Sequence, residues 1–291
     1  MDFTNSKAII SCHLMGGLGN QLFQIFVTMA YSLEHNYTFL FPYSNTLNTG
    51  TIRQTYWDNF LLNLKQYTTT NNTVTKELIS KFPKYCEKGF SYVKIPRYQN
   101  DPHICLFGYY QSYKYFNQYY NDICNIIKLN ETQHSLKIEY NYLLQDITVS
   151  MHFRLGDYVK IQDCHPLMTE SYYDKSINTI IKKIGVNNFT ILYFCQDIDN
   201  ERVEETINNL KCKHSNIIFK KVDDTIDDWK QMMLMSLCNH NIIANSSFSW
   251  WGAYFNNNKP IVCYPDLWFG PKLSYNDTKD LFPIEWNKII C

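Results

Sequence analysis

Apolar positions along this chain change their spacing in a regular order. Compact β-branched or aromatic runs alternate with stretches in which apolar residues return every three to four positions, the pattern of strands alternating with helices. Ala8-Ile9-Ile10-Ser11-Cys12-His13-Leu14 reads as a strand, and Met15-Gly16-Gly17-Leu18-Gly19-Asn20-Gln21 as a glycine-rich turn. Leu22, Phe23, Phe26, Val27, Ala30, Tyr31 and Leu33 then recur at helical spacing, which predicts a helix to about Glu34. Thr38-Phe39-Leu40-Phe41 reads as the next strand, ended by Pro42. Residues 46–102 have weak periodicity and many Asn, Thr, Tyr and Lys, so loops and short helices are expected there. Cys105 to Phe116 reads as a short strand running into an aromatic loop, 117–127 as a helix, and 129–146 as a connector.

The second half alternates more cleanly. Strands are predicted at Ile147–Met151, Phe189–Cys195, Asn216–Phe219, Asn241–Ala244 and Pro260–Pro265. Helices are predicted at 169–184, opened by a Thr169 cap, at 199–210, at 227–238 and from the turn at Asn245 onward. Strict alternation implies parallel pairing and a doubly wound α/β sheet. The connector divides the chain into expected domains 1–145 and 146–291, and the length of 291 residues is enough for both.

Composition narrows the function. The formal net charge is +0, which lacks the basic footprint of a nucleic-acid binder. The ten cysteines form no Cys-x-x-Cys pair, so a zinc site is not expected, and scattered thiols inside strands fit a reducing compartment. Residues 1–7 are polar and no later apolar run reaches spanning length. A cytoplasmic protein without signal peptide or membrane anchor is the expectation. Its oligomeric state is not encoded in any readable pattern.

Candidate chemistry gathers where predicted strands end. His152-Phe153-Arg154-Leu155-Gly156-Asp157-Tyr158 follows one of them. Arg154 brings a permanent charge and a planar fork of donors suited to phosphate. Asp157 can orient that guanidinium or accept a proton. Asp197 follows the next strand, and Asn245, Ser246, Ser247 and Ser249 follow another, at a strand-to-helix turn whose N–H groups can cradle an anion. In a parallel sheet these positions converge on one edge. The first turn is not a dinucleotide fingerprint: Leu22 stands where a third glycine belongs, and no acidic residue ends the second strand. Gly17, Asn20 and Gln21 therefore meet a polar ligand, or Asn20 caps the helix. Tyr109 and Gln111 edge the aromatic loop.

The motifs Gly16–Gln24, Gly108–Ser112, His152–Tyr158 and Leu234–Gly252, in this order, resemble those of glycosyltransferase family 11, the α-1,2-fucosyltransferases. The resemblance implies a GT-B fold, two Rossmann-like domains facing a cleft, with the donor held mainly by the C-terminal one. It implies transfer of L-fucose from GDP-fucose, the co-substrate, to a galactose-type hydroxyl of a glycan acceptor, with inversion and without a metal or other cofactor. Arg154, Asp157 and His152 would be catalytic. Gly17, Asn20, Gln21, Arg154, Asp197, Asn245, Ser246, Ser247 and Ser249 would bind the donor, and Tyr109 and Gln111 the acceptor. Two departures stand out: Leu155 replaces a second arginine, and Phe194-Cys195-Gln196-Asp197 replaces Phe-Ser-Asp-Asp. Another nucleotide sugar is the first alternative, and a non-catalytic glycan-binding relative the second.

Overall fold

A computed structural model describes residues 8–48, 50–98 and 103–291. The polar stretch 1–7 lies outside the described residues. In chain order the strands are β1 (Ile9–Cys12), β2 (Thr38–Phe39), β3 (Thr46–Leu47), β4 (Arg53–Gln54), β5 (Lys84–Cys86), β6 (His103–Phe107), β7 (Thr148–His152), β8 (Thr190–Phe194), β9 (Ile218–Lys221), β10 (His240–Ile242), β11 (Val262–Pro265) and β12 (Asn287–Ile289). The α-helices are α1 (Leu18–His35), α2 (Lys76–Ser80), α3 (Tyr120–Ile127), α4 (Leu129–Glu139), α5 (Glu170–Ile184), α6 (Asn200–Lys213), α7 (Asp228–Leu237) and α8 (Ser247–Tyr254). The chain divides into two compact units, 1–132 with 277–283 and 133–276 with 284–291, a division earlier in the chain than residue 145.

The first unit is built on a parallel sheet of order β2-β1-β6-β5. Its central helix α1 is buried on nearly every side, so its polar residues are satisfied internally: Thr28 and Ser32 donate to the carbonyls of Gln24 and Thr28 at 2.7 and 2.8 Å. It stops at Asn36, in the left-handed region at φ 56°, where Tyr37 N–H reaches back to Ser32 O at 2.8 Å.

The second unit carries the larger sheet, β12-β11-β10-β7-β8-β9, parallel throughout. Val149, Met151, Ile191, Ile242 and Cys263 from its strands pack with Tyr172, Ile177 and Ile180 of α5 and Val203, Ile207 and Leu210 of α6. Helix α5 starts on the Thr169 hydroxyl, which accepts from Tyr172 N–H, and ends at Gly185 with φ 75°. All ten cysteines are free thiols. Among the described residues no helix is long and apolar enough to cross a membrane.

Three stretches differ from their expected form. The connector 129–146 contains the helix α4, whose buried positions are Leu129, Gln133 and Leu136, with buried Tyr140 just beyond its end. Gln133 breaks the apolar stripe because its amide donates to Ser236 Oγ at 2.8 Å and Phe255 O at 2.9 Å. The region 46–102 includes β5, a three-residue edge strand. The sheet does not close at Pro265: β12 adds a further strand beyond it.

Candidate active site

The chain leaves β7 for β8 and β9 on one side, then returns to β10 on the other side of β7 and continues to β11 and β12. Right-handed crossovers put the connections from β7 and from β10 on opposite faces, the switch point at which open α/β sheets hold their ligands. Both loops carry predicted site residues.

Strand β7 is buried along its whole length and ends in His152. Phe153 stays in the core against Tyr173, with ring centroids 4.2 Å apart. Arg154 is the first side chain to leave it. Its guanidinium pairs with Asp157, donates to Gln196 Oε1 at 3.1 Å and lies over the Tyr158 ring, 4.7 Å from the centroid. Gly156 permits this geometry: its φ of +41° is left-handed, and a Cβ there would collide with Gln196 Oε1. Its N–H is held by the buried Asp199 carboxylate at 2.9 Å. Leu155 turns the other way and packs against the core of the unit.

His152 is buried, and its Nδ1 has no hydrogen-bond partner among the described residues. Burial, with the Arg154 charge beside it, pushes its pKa down to about 3. The ring stays neutral at working pH, beside Phe248 at 5.5 Å between centroids. The consequence for stability has a definite sign. The folded pKa lies below the unfolded value, so between pH 6.5 and about 3 the unfolded chain binds more protons, and stability falls as pH drops through that window. His152→Asn should weaken the dependence of Tm on pH between 7 and 5; an unaltered slope in that variant would assign the acid sensitivity elsewhere.

After β10, Asn245 is 1% exposed, and its Nδ2 donates to Pro166 O at 2.9 Å and Trp268 O at 3.3 Å. Its Oδ1 is buried without a partner among the described residues. Tyr158 OH donates to its carbonyl at 3.4 Å, so the two loops are tied together. Ser246 caps α8, its hydroxyl accepting from Phe248 N–H at 3.3 Å. Ser249 is buried, its hydroxyl turned back to Ser246 O. Ser247 is half-buried. Ser246 and Ser249 thus build the turn, and Ser247 stands at the helix start.

After β8, Asp197 is exposed and accepts from Asn200 at 3.0 Å. The sequence reading expects no Asp-x-Asp metal motif at the strand ends, yet Asp197-Ile198-Asp199 has that spacing. The fold separates the two carboxylates in role, since Asp199 serves Gly156 N–H. Among the described residues no three His, Cys, Asp or Glu side chains are grouped for a metal. Sequence reasoning also missed Tyr158 and Asp199, and the contact by which Gln196 orients Arg154, all of which depend on contacts between separate loops.

In the first unit the glycine-rich turn opens α1 without a side-chain cap: Gly17, not Asn20, is the cap residue. Gly16 adopts φ +76°, and a Cβ there would lie 2.5 Å from Asn20 Nδ2. A Cβ on Gly17 would meet nothing within 4 Å, so the chain's own packing gives no reason for that glycine. Asn20 Oδ1 accepts from Gln111 Nε2 at 2.8 Å, which brings the two motifs together. Gln21 is buried and its amide donates to Gly16 O and Gln54 O at 3.0 and 2.9 Å. Tyr109 is 41% exposed beside them in the chain.

Comparison with known proteins supplies a lineage for this arrangement. Residues 3–290 match glycosyl transferase family 11. The chain is 31% identical over 286 residues to an alpha-1,2-colitosyltransferase of Escherichia coli, covering 90% of this chain and 93% of that protein. It is 30% identical over 181 residues to the Escherichia coli O-antigen biosynthesis glycosyltransferase WbnK, covering 57% and 55%. Among solved structures, that of POFUT1 in complex with GDP-fucose superposes with a TM-score of 0.52 at 12% identity, covering 88% of this chain and 97% of that one. The architecture is of the GT-B class. With a match that runs almost from end to end, this chain belongs to glycosyl transferase family 11.

Proposed function

We propose that this glycosyltransferase moves L-fucose from GDP-fucose to a galactose-type hydroxyl of a glycan, forming an α-1,2 linkage with inversion and without a metal. The observation that carries this reading is Arg154, held at the switch point by Asp157 and Gln196 and lying over Tyr158. Breaking the bond to the nucleotide places negative charge on the diphosphate while the sugar becomes oxocarbenium-like. A pre-positioned guanidinium stabilises that charge without reorganisation. The N-terminal N–H groups of α8 and the Ser247 hydroxyl add donors, as helix starts do for phosphates. Neutral His152 accepts from or donates to the nucleotide, and Asp197 reads its base. Gly17, Asn20, Gln111 and Tyr109 serve the sugars from the first unit. Such an enzyme would act in the cytoplasm on a soluble or lipid-linked glycan.

A GDP-linked dideoxy sugar is a second reading. Leu155 packs in the core and offers no hydrogen bond where the family pattern has an arginine. That suits a sugar with one hydroxyl fewer, and colitose is L-fucose lacking its 3-hydroxyl. The kinship with an alpha-1,2-colitosyltransferase points the same way.

Thermal shift in metal-free buffer tests both. A ligand at one hundred times its Kd stabilises the folded state by about 2.7 kcal/mol, a rise on the order of 5 °C for domains of this size. GDP and one GDP-sugar should give it, UDP-sugars should not, and EDTA should leave transfer unchanged. Stabilisation by no guanine nucleotide would sink the donor assignment; loss of transfer in EDTA, restored by a divalent cation, would sink the metal-free mechanism.

A further inference from the structure

Strands β1, β6 and β5 are parallel neighbours, so the residues that follow them lie along one edge of the first sheet. That edge carries the glycine-rich turn, the loop 108–112 and Glu87. The Glu87 carboxylate accepts the N–H groups of Tyr109 at 2.8 Å and Tyr110 at 2.9 Å. These bonds hold an unusual backbone. Tyr110 has φ +52°, and its buried hydroxyl donates to Tyr85 O at 2.9 Å. A Cβ on Gly108 would come within 2.6 Å of Glu87 Oε2, so the loop lies directly against the carboxylate. The same loop presents exposed Tyr109 and sends Gln111 to Asn20.

Several other carboxylates of this unit have cations beside them. Asp280 pairs with Lys114, Asp58 with Lys65, and Glu34 with Lys94 at 3.4 Å. In the second unit Asp157 is committed to Arg154. Glu87 is half-buried, and among the described residues its partners are the two amides alone. Each carboxylate oxygen has two lone pairs, so each retains one after its amide bond. Resting on the transferase reading above, we propose that Glu87 is the catalytic base, the group that takes the proton from the attacking acceptor hydroxyl.

The step balances without a further reactant. The acceptor O–H bond breaks and its proton passes to a Glu87 oxygen. The acceptor oxygen bonds to the anomeric carbon, and the bond from that carbon to the diphosphate breaks with its electron pair on the departing oxygen. The products are the glycoside, GDP and a protonated Glu87 that returns its proton to water.

Burial pushes the Glu87 acid up to about 7, against the pull of its two N–H bonds, which suits a base working near neutrality. The groups around it on β5 are Lys84, Tyr85, Cys86 and the neighbouring Lys88; the loops add Tyr92, Tyr110 and Tyr115. Burial raises Tyr85, Tyr110 and Tyr115, which stay protonated through the neutral range. His13, on β1's loop beside Phe107, is lowered by burial and Lys84 and stays neutral above pH 6.5. Since the base must be ionised, the transfer rate should rise with pH through about 7 and level off above it.

Glu87→Gln is the decisive variant, assayed for transfer between pH 5.5 and 9 with GDP-induced thermal shift as the control for donor binding. The expected result is a kcat lower by about 10²- to 10⁴-fold. The rising limb should vanish while stabilisation by GDP remains. A folded variant that keeps the limb, or changes only the acceptor KM, overturns the proposal and leaves Glu87 as a loop support. Where Glu87→Gln fails to fold, Glu87→Asp decides: a displaced limb with reduced kcat supports the base, and an unmoved limb overturns it. Absence of transfer by the wild-type protein with every GDP-sugar would instead strike the transferase reading itself.

Discussion

Arg154→Ala is expected to reduce kcat/KM by about 10³-fold, the loss typical of removing a pre-positioned donor from a developing oxyanion, enlarged here by the loss of a full charge. Folding should survive. The side chain has left the core at this point, and its ion pair with Asp157 is partly exposed, a class of interaction worth about 1 kcal/mol or less. A soluble variant with a near-native Tm, unaltered secondary structure and almost no transfer is the predicted outcome. Near-wild-type turnover would remove Arg154 from the chemistry. Arg154→Lys should recover little, because a lysine has no planar fork to join Asp157 and Gln196 at once and cannot stack its charge on Tyr158 in the same way. The Gln196 contact sharpens this point. Where the family pattern places an acid, this chain puts a neutral acceptor, so the guanidinium is oriented on that side without being neutralised. Gln196→Asp should therefore weaken GDP stabilisation, read in the same thermal-shift assay, despite restoring the family residue.

The parts of this site that were legible in sequence are those built by local chemistry. The unit β1–α1–β2 announces itself because its strand, glycine turn and apolar helix follow one another without interruption. The same holds for β7 with His152–Tyr158 and for β10 with Asn245–Ser249. Parallel alternation then places the ends of β7 and β10 on one edge of the larger sheet without knowledge of any contact. What stayed hidden depends on partners distant in sequence. Helix α4 looks like a connector because its buried Gln133 is an apolar position only in the sense that it is inside; its polarity is satisfied by Ser236 and Phe255. Strands β5 (Lys84-Tyr85-Cys86) and β12 (Asn287-Lys288-Ile289) are three residues long and start on polar side chains, so no apolar run marks them. Asp197 and Asp199 are both acids just past β8, and nothing local separates the exposed one from the one that holds Gly156. Gln21 reads as a ligand contact from sequence alone, and nothing local shows that its Nε2 donates to two backbone carbonyls while its Oε1 is buried without a partner among the described residues. Glu87 sits in the least readable stretch and becomes visible only when β5 is placed beside β6.

Gly270→Ala is the sharpest test of how the site is supported, because the substitution lies far from Arg154 in sequence and touches no proposed ligand group. Gly270 has an ordinary backbone conformation, φ −80°, so conformational freedom is not why it is glycine. Space is. An added Cβ would lie 2.6 Å from both the Asp163 carbonyl carbon and the Gln162 carbonyl oxygen, and backbone cannot rotate aside as a side chain could. Relief requires parting two segments joined by Gly270 N–H to Cys164 O at 2.8 Å and Lys272 N–H to Asp163 O at 2.9 Å. Overpacking of this kind costs about 1–3 kcal/mol, a fall in Tm of roughly 3–10 °C. Activity should fall further than stability explains. The displaced segment carries His165, which contacts Phe269 at 5.7 Å and stacks on Tyr158 at 4.5 Å, and Tyr158 lies under the Arg154 guanidinium. A shift of that column moves the one charge on which the leaving group depends. Misplacement on the order of 1 Å can cost about 10²-fold in rate. Measured well below its Tm, Gly270→Ala should therefore show a lower kcat and weaker stabilisation by GDP. A destabilised variant with unchanged kcat would mean that Arg154 keeps its place through Asp157 and Gln196 alone, and that the aromatic column is packing without consequence for the reaction.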